Sequence, residues 1–200
     1  MRLQNNVLFL YLYPLLVSGD LGSYSGQYGV GTIDLEVPAQ SPTNITDTTL
    51  KNGTYAFRLD TVYFSLFYPI APGTTSTKAQ HPWLAPPKNL IAQGLSQAIG
   101  GSVPASLIQI GFDAFAANLS IPAQVDVPLL SGTNKLPIMT FSHGDPTMSQ
   151  WYSQFYGELA SRGIVVAAVT HRDGSSPATM VLFKNGTSYD IIAFTEAQVL

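Results

Sequence analysis

Two short apolar runs, Ile138 to Phe141 and Ile164 to Val169, flank a segment whose aromatic and aliphatic side chains recur at helical spacing. No other feature limits the fold so tightly. Pro137 and the His143-Gly144 pair bound the first run, whose length and composition predict a strand covered on both faces. In the segment between, Trp151, Phe155 and Leu159 fall on one helical line, with Tyr152, Tyr156 and Ala160 beside it. The helix has two candidate starts. Asp145 can serve as N-cap with Pro146 at the first helical position, or Thr147 and Gln150 can form a capping box. Gly163 is placed to end the helix as the C′ residue. Strand, helix, strand over Leu136 to Arg172 can close only as a right-handed crossover, which requires a parallel pair.

Parallel sheets bind ligands beyond the carboxyl ends of their strands. Two motifs fall there: His143-Gly144-Asp145 after the first strand, and His171-Arg172-Asp173-Gly174 after the second. The second reads as a tight turn, with Arg172 and Asp173 tied to backbone groups. Upstream, Gly31 to Val37 is strand-like, Ser41 to Gly53 is a polar loop, and Tyr55 to Tyr68 is one long strand or two joined by a bend. Leu90 to Gly101 has helical spacing weakened by Gly94. Ser106 to Leu119 reads as a second short helix with Leu107, Ile110, Phe112 and Phe115 available to bury.

Composition narrows the function classes. Only 10% of the 200 residues are charged, and the net charge is −3, which excludes the clustered basic balance of a nucleic-acid-binding protein. There is no cysteine, hence no disulfide framework or thiolate metal site. The three histidines, His81, His143 and His171, have no metal-ligand spacing. Arg2, the apolar run Val7 to Val17 and the small residues before Asp20 have the three parts of a secretory signal, predicted to cover residues 1–19. The run contains Pro14 and falls short of the roughly 20 apolar residues that span a bilayer. Asn44, Asn52, Asn118 and Asn185 each head an Asn-x-Ser/Thr sequon, so a secreted glycoprotein is expected.

FSHG at 141–144, GELASRGIVVAAVTHRDGSSPAT at 157–179 and the earlier YGVGT and FYP segments resemble the platelet-activating factor acetylhydrolase family, in its secreted fungal form. The resemblance covers Tyr28 to Val181. It implies an α/β-hydrolase fold, a mostly parallel sheet with flanking helices, of which residues 20–200 would be the N-terminal and incomplete part. It further implies a phospholipase A2-like serine esterase of lipid degradation that removes short acyl chains from a phospholipid or other ester. No cofactor or metal is implied, and contact with a lipid surface would be transient. In such enzymes the first strand–helix turn supplies half of the oxyanion hole. Here the donor would be the backbone N–H of Asp145, with Gly144 admitting the substrate and His143 bracing the turn.

Two positions depart from the family pattern. Asp145-Pro146 stands where an apolar residue and glycine are usual, and Thr170 replaces the glutamate before His-Arg-Asp. A carboxylate about 5 Å from a developing oxyanion would oppose it by roughly 3 kcal/mol at an effective dielectric near 20, unless it turns away to cap the helix. The family's serine sits in a Gly-x-Ser-x-Gly elbow followed by Asp and then His. These 200 residues contain no such elbow, and all three histidines come early. The expectation is therefore an N-terminal portion that lacks the catalytic triad. A catalytically inactive remnant or binding-only paralogue is the alternative, and a dienelactone hydrolase-like or cutinase-like esterase a third. Ser142, His143 and Asp145 cannot form a relay, because adjacent strand residues point to opposite faces. A pairing of His171 with Asp173, with Ser175 or Ser176 as nucleophile, remains open.

Overall fold

The computed structural model describes residues 21–44, 49, 53, 55, 58–84, 87–132, 135–182 and 188–192. The proposed signal segment and the sequons at Asn52 and Asn185 lie outside them. Five strands form the main sheet. They are β1 (Gly29–Asn44), β2 (Arg58–Ile70), the two-residue β3 (Gln124–Val125), β4 (Ile138–Ser142) and β5 (Val165–Thr170). Their order is β3-β1-β2-β5-β4. The sheet is mixed. β1 with β2 and β2 with β5 are antiparallel, while β1 with β3 and β4 with β5 are parallel. A separate antiparallel pair joins β6 (Ala178–Leu182) to β7 (Ser188–Ile192).

The β4–helix–β5 crossover is the unit that the periodicity predicts. Its helix begins differently. Residues Ser149–Tyr152 form a 3-10 turn, and α3 runs from Ser153 to Ala160. Neither expected cap operates. The side chain of Met148 is buried, and its backbone is extended at φ −119° and ψ 148°. Drawing Met148 into the core holds the chain open past Asp145 and Thr147, so no helix can start there. The C-terminal end is as expected. Gly163 has φ +97°, its N–H donates to the Ala160 carbonyl at 3.0 Å, and the Ile164 N–H reaches the Leu159 carbonyl at 3.2 Å. Those two bonds make a Schellman closure, in which only glycine adopts the positive φ without strain.

Of the two helical lines, the one through Tyr156 and Ala160 faces the core, while Phe155 is exposed. Tyr156 packs against Phe67 of β2, ring centroids 5.3 Å apart, and against Phe141 of β4 at 5.0 Å. This aromatic trio seats α3 on one face of the sheet. On the other face, among the described residues, no helix lies over β4, and Ile138 is 71% exposed. The expectation of a strand covered on both faces is thus corrected, because β4 is the edge strand of the described sheet and α3 covers a single side.

Three further boundaries differ from expectation. β1 runs on through the predicted polar loop to Asn44, with a register shift between Pro38 and Thr43. β2 is one strand and begins at Arg58, while Tyr55 only bridges Thr49. Helices α1 (Lys88–Ala98) and α2 (Ala105–Phe115) lie where predicted. The buried line of α2 is Ile108 and Phe112, whereas Leu107 and Ile110 are 58% and 63% exposed. Residues 108 and 112 are one turn apart and face the core together, which leaves positions 107 and 110 on the far side. At Gly94 the α1 backbone lies hard against the chain at Pro177, since a Cβ built there would lie 1.6 Å from the Pro177 carbonyl oxygen.

Candidate active site

The parallel register sets Ser142 of β4 opposite Val169 of β5, so both strands end side by side. The chain continues from β4 into an exposed turn, in which the Thr147 N–H donates to the Gly144 carbonyl at 2.9 Å. The Asp145–Pro146 peptide is cis. Gly144 and Asp145 are exposed, and a Cβ built at Gly144 would meet nothing within 4 Å. The turn therefore opens to solvent at the carboxyl ends of the two parallel strands, where a ligand is expected.

His143 points inward and is 5% exposed. Its Nδ1 lies 3.1 Å from the Gly144 carbonyl oxygen, and its Nε2 accepts the backbone N–H of His171 at 3.3 Å. The Ser176 hydroxyl is 3.2 Å from the same Nε2. One neutral tautomer, with the proton on Nδ1, satisfies all three contacts. Burial is the main reason its pKa lies below the ordinary imidazole value; the Gly144 carbonyl opposes that shift, His171 adds to it and Asp173 opposes it. The ring thus contacts both the turn and the start of the His171 segment.

On the opposite side of the strand, Ser142 Oγ lies 2.8 Å from His171 Nε2. His171 Nδ1 is 3.7 Å from Asp173 Oδ2. The other carboxylate oxygen of Asp173 accepts the Ser175 N–H at 3.0 Å and the Ser175 hydroxyl at 2.6 Å. His171 and Asp173 do pair, but the serine facing His171 is Ser142, while Ser175 bonds to the acid and Ser176 to His143. The sequence does not point to the partner of Ser142 across the strands. The signal lies in the register, since His171 is two residues beyond Val169 and shares the face of Ser142, and no sequence pattern fixes that register.

The expected capping role of Asp145 is absent because the helix starts later. The Asp145 carboxyl is pushed above the usual range by desolvation and then by the nearby Asp173. Arg172 reaches across to β1 and β2. Its guanidinium donates to Glu36 Oε1 at 2.7 Å and to the Thr61 hydroxyl, and lies over the Tyr63 ring at 5.4 Å. Gly174 has φ +86°, consistent with a tight turn. Asn44 and Asn118 are exposed.

A cavity of about 160 Å³ opens beside His171 and Asp173, lined also by Val62, Val169 and Arg172. A larger one, about 330 Å³, lies between the sheet and the 3-10 turn, where His81 Nε2 is 3.6 Å from Asp34 Oδ2. Among the described residues, no group of three or more His, Asp or Glu side chains is placed to hold a metal ion, and no helix is long and apolar enough to cross a membrane.

Comparison with known proteins adds an independent line. The family model for "platelet-activating factor acetylhydrolase, isoform II" matches residues 18–190. Platelet-activating factor acetylhydrolase of Cavia porcellus is 39% identical over 87 residues, which are 44% of this chain and 19% of that protein. The Gallus gallus protein of the same name is 33% identical over 125 residues, covering 62% and 28%. A putative phospholipase A2 of Schizosaccharomyces pombe is 27% identical over 159 residues, covering 78% and 33%. The matched stretches thus span from 19% to 33% of these relatives. A ferulic acid esterase from Streptomyces cinnamoneus superposes with TM-score 0.49 at 19% identity, over 86% of this chain and 41% of that one.

Proposed function

The chain belongs to the platelet-activating factor acetylhydrolase, isoform II family, and we propose that it acts as a carboxylic-ester hydrolase that releases short acyl chains from phospholipids. The observation that carries this reading is the exposed Gly144–Asp145 turn at the ends of parallel strands, with open space in front of the glycine. The amide of Asp145 is the oxyanion donor on this reading. Preorganised donors of this kind lower acyl-transfer barriers by about 3–4 kcal/mol each. His143 holds the turn through its contact with the Gly144 carbonyl and through the His171 N–H.

The same reading makes the protein a secreted glycoprotein. The apolar run Val7 to Val17, the four sequons and the exposure of Asn44 and Asn118 support it. The rival reading is a binding-only member of the family.

The protein purified from its native source separates the two. Thioester analogues of an acetylated and a long-chain phospholipid would be supplied, and thiol release followed with and without a serine-directed phosphonate. Faster turnover of the acetylated analogue, abolished by the phosphonate, is expected. Binding of the lipid without serine-dependent turnover rejects the hydrolase. A mass loss on deglycosylation, with both asparagines converted to aspartate, is expected of the secreted form.

A further inference from the structure

We propose that Ser142, His171 and Asp173 form a Ser–His–Asp array in which Ser142 accepts an acyl group from small activated esters. The inference rests on the ester-hydrolase reading only for its substrate class. Its geometry stands alone: Ser142 Oγ to His171 Nε2 is 2.8 Å, and His171 Nδ1 to Asp173 Oδ2 is 3.7 Å.

Three features make the serine more than a strand-end hydroxyl. Ser142 is exposed, on the sheet face away from α3, so an ester can reach it. In the tautomer with the proton on Nδ1, His171 Nε2 accepts the Ser142 hydroxyl, and the protonated nitrogen faces Asp173, which stabilises the imidazolium that forms when Nε2 takes the serine proton. The Asp173 contact is too long for a hydrogen bond, but such contacts are often loose before substrate binds. Finally, the Gly144–Asp145 turn follows two residues on and faces open space at the glycine.

The chemistry balances within the array. Ser142 Oγ bonds to the ester carbonyl carbon while its proton passes to His171 Nε2. The bond from that carbon to the alcohol oxygen breaks, and the departing oxygen takes the proton from Nε2. Water then attacks the acyl carbon and gives its proton to Nε2. Ser142 leaves with that proton as the acid is released.

Labelling the protein with a fluorophosphonate and mapping the modified peptide tests this. The expected result is an adduct on Ser142 whose rate of formation rises with pH along one protonation step. His171→Gln should lose that step and react at least about 100-fold more slowly, the ordinary contribution of a general base. Asp173→Asn should slow labelling by about tenfold. A merely structural hydrogen bond would move neither the pH profile nor the site of labelling. Wild-type mapping needs no variant, so misfolding cannot obscure the answer. No adduct on Ser142 in folded protein overturns the proposal, as does an equal rate in His171→Gln. Labelling at another serine alone overturns it while leaving the ester-hydrolase reading standing. Failure to turn over phospholipid, with Ser142 still labelled, would reject that reading and leave the array in place.

Discussion

His143 Nε2 lies 3.3 Å from the backbone N–H of His171, so a buried ring at the end of β4 holds the chain leaving β5. That bond ties the two strand ends together. The same ring contacts the Gly144 carbonyl and the Ser176 hydroxyl, and the bond accepted from the His171 N–H depends on Nε2 staying unprotonated. Protonation would turn the accepting nitrogen into a donor facing another donor.

The pH dependence of stability follows from that. The folded pKa of His143 lies below the unfolded value, first because of burial. As pH falls, the unfolded chain takes up the proton before the folded one does. The contribution of His143 is therefore whole above about pH 6.5, the unfolded imidazole value, and is lost as pH drops from there toward the folded pKa. The melting temperature should fall between pH 7.5 and 5.5 in the native protein. In His143→Gln it should start lower and change less over the same interval, as differential scanning fluorimetry across pH would read. Parallel curves for the two proteins would remove His143 from the effect.

Asp145 should restrain the reaction it flanks. Its carboxyl stands at the proposed donor position and is already raised by desolvation and by Asp173. Asp145→Asn keeps the backbone amide and removes the charge. Coulomb's law at about 5 Å and an effective dielectric near 20 gives roughly 3 kcal/mol, an upper bound of about 100-fold. An increase in kcat of about 10-fold to 100-fold on a short-chain ester is expected, with KM little changed. An unchanged or lower kcat would place the oxyanion elsewhere.

Gly94 gives opposite answers from helix propensity and from packing. Propensity alone says that Gly94→Ala stabilises α1 by about 1 kcal/mol. The added methyl would sit 1.6 Å from the Pro177 carbonyl oxygen, which is backbone and cannot swing aside. Overpacking of this kind costs typically about 1–3 kcal/mol. Gly94→Ala should therefore lower stability in urea melts, and Gly111→Ala, with nothing within 4 Å, serves as the control that does not.

Arg172 is 7% exposed in its side chain, and it pairs with the partly buried Glu36 at 2.7 Å. Breaking a buried ion pair by removing one member costs about 3 kcal/mol or more. Arg172→Met and Glu36→Gln should each destabilise strongly. The double variant should lose less than the sum of the two, read as a coupling energy in a double-mutant cycle. Additive losses would mean that the pair acts through packing alone.

The local structure was legible because periodicity and turn chemistry act over a few residues. The apolar runs at 138–141 and 164–169, the aromatic spacing between them and the Gly163 stop suffice to define the parallel crossover, and with it the end of the sheet where a ligand belongs. The motif residues His143-Gly144-Asp145 and His171-Arg172-Asp173 could be placed at that end from the sequence alone. Which of their side chains meet could not. Ser142 reaches His171, and His143 reaches Ser176, because β4 and β5 are paired in one register out of several that the apolar pattern allows. A register is set by how α3 sits on the sheet, through Tyr156 against Phe67 and Phe141. The late helix start has the same origin. Asp145 and Thr147 have the chemistry to cap a helix, but burying Met148 in the core outweighs a cap, and only the packed tertiary structure brings that core to bear on them.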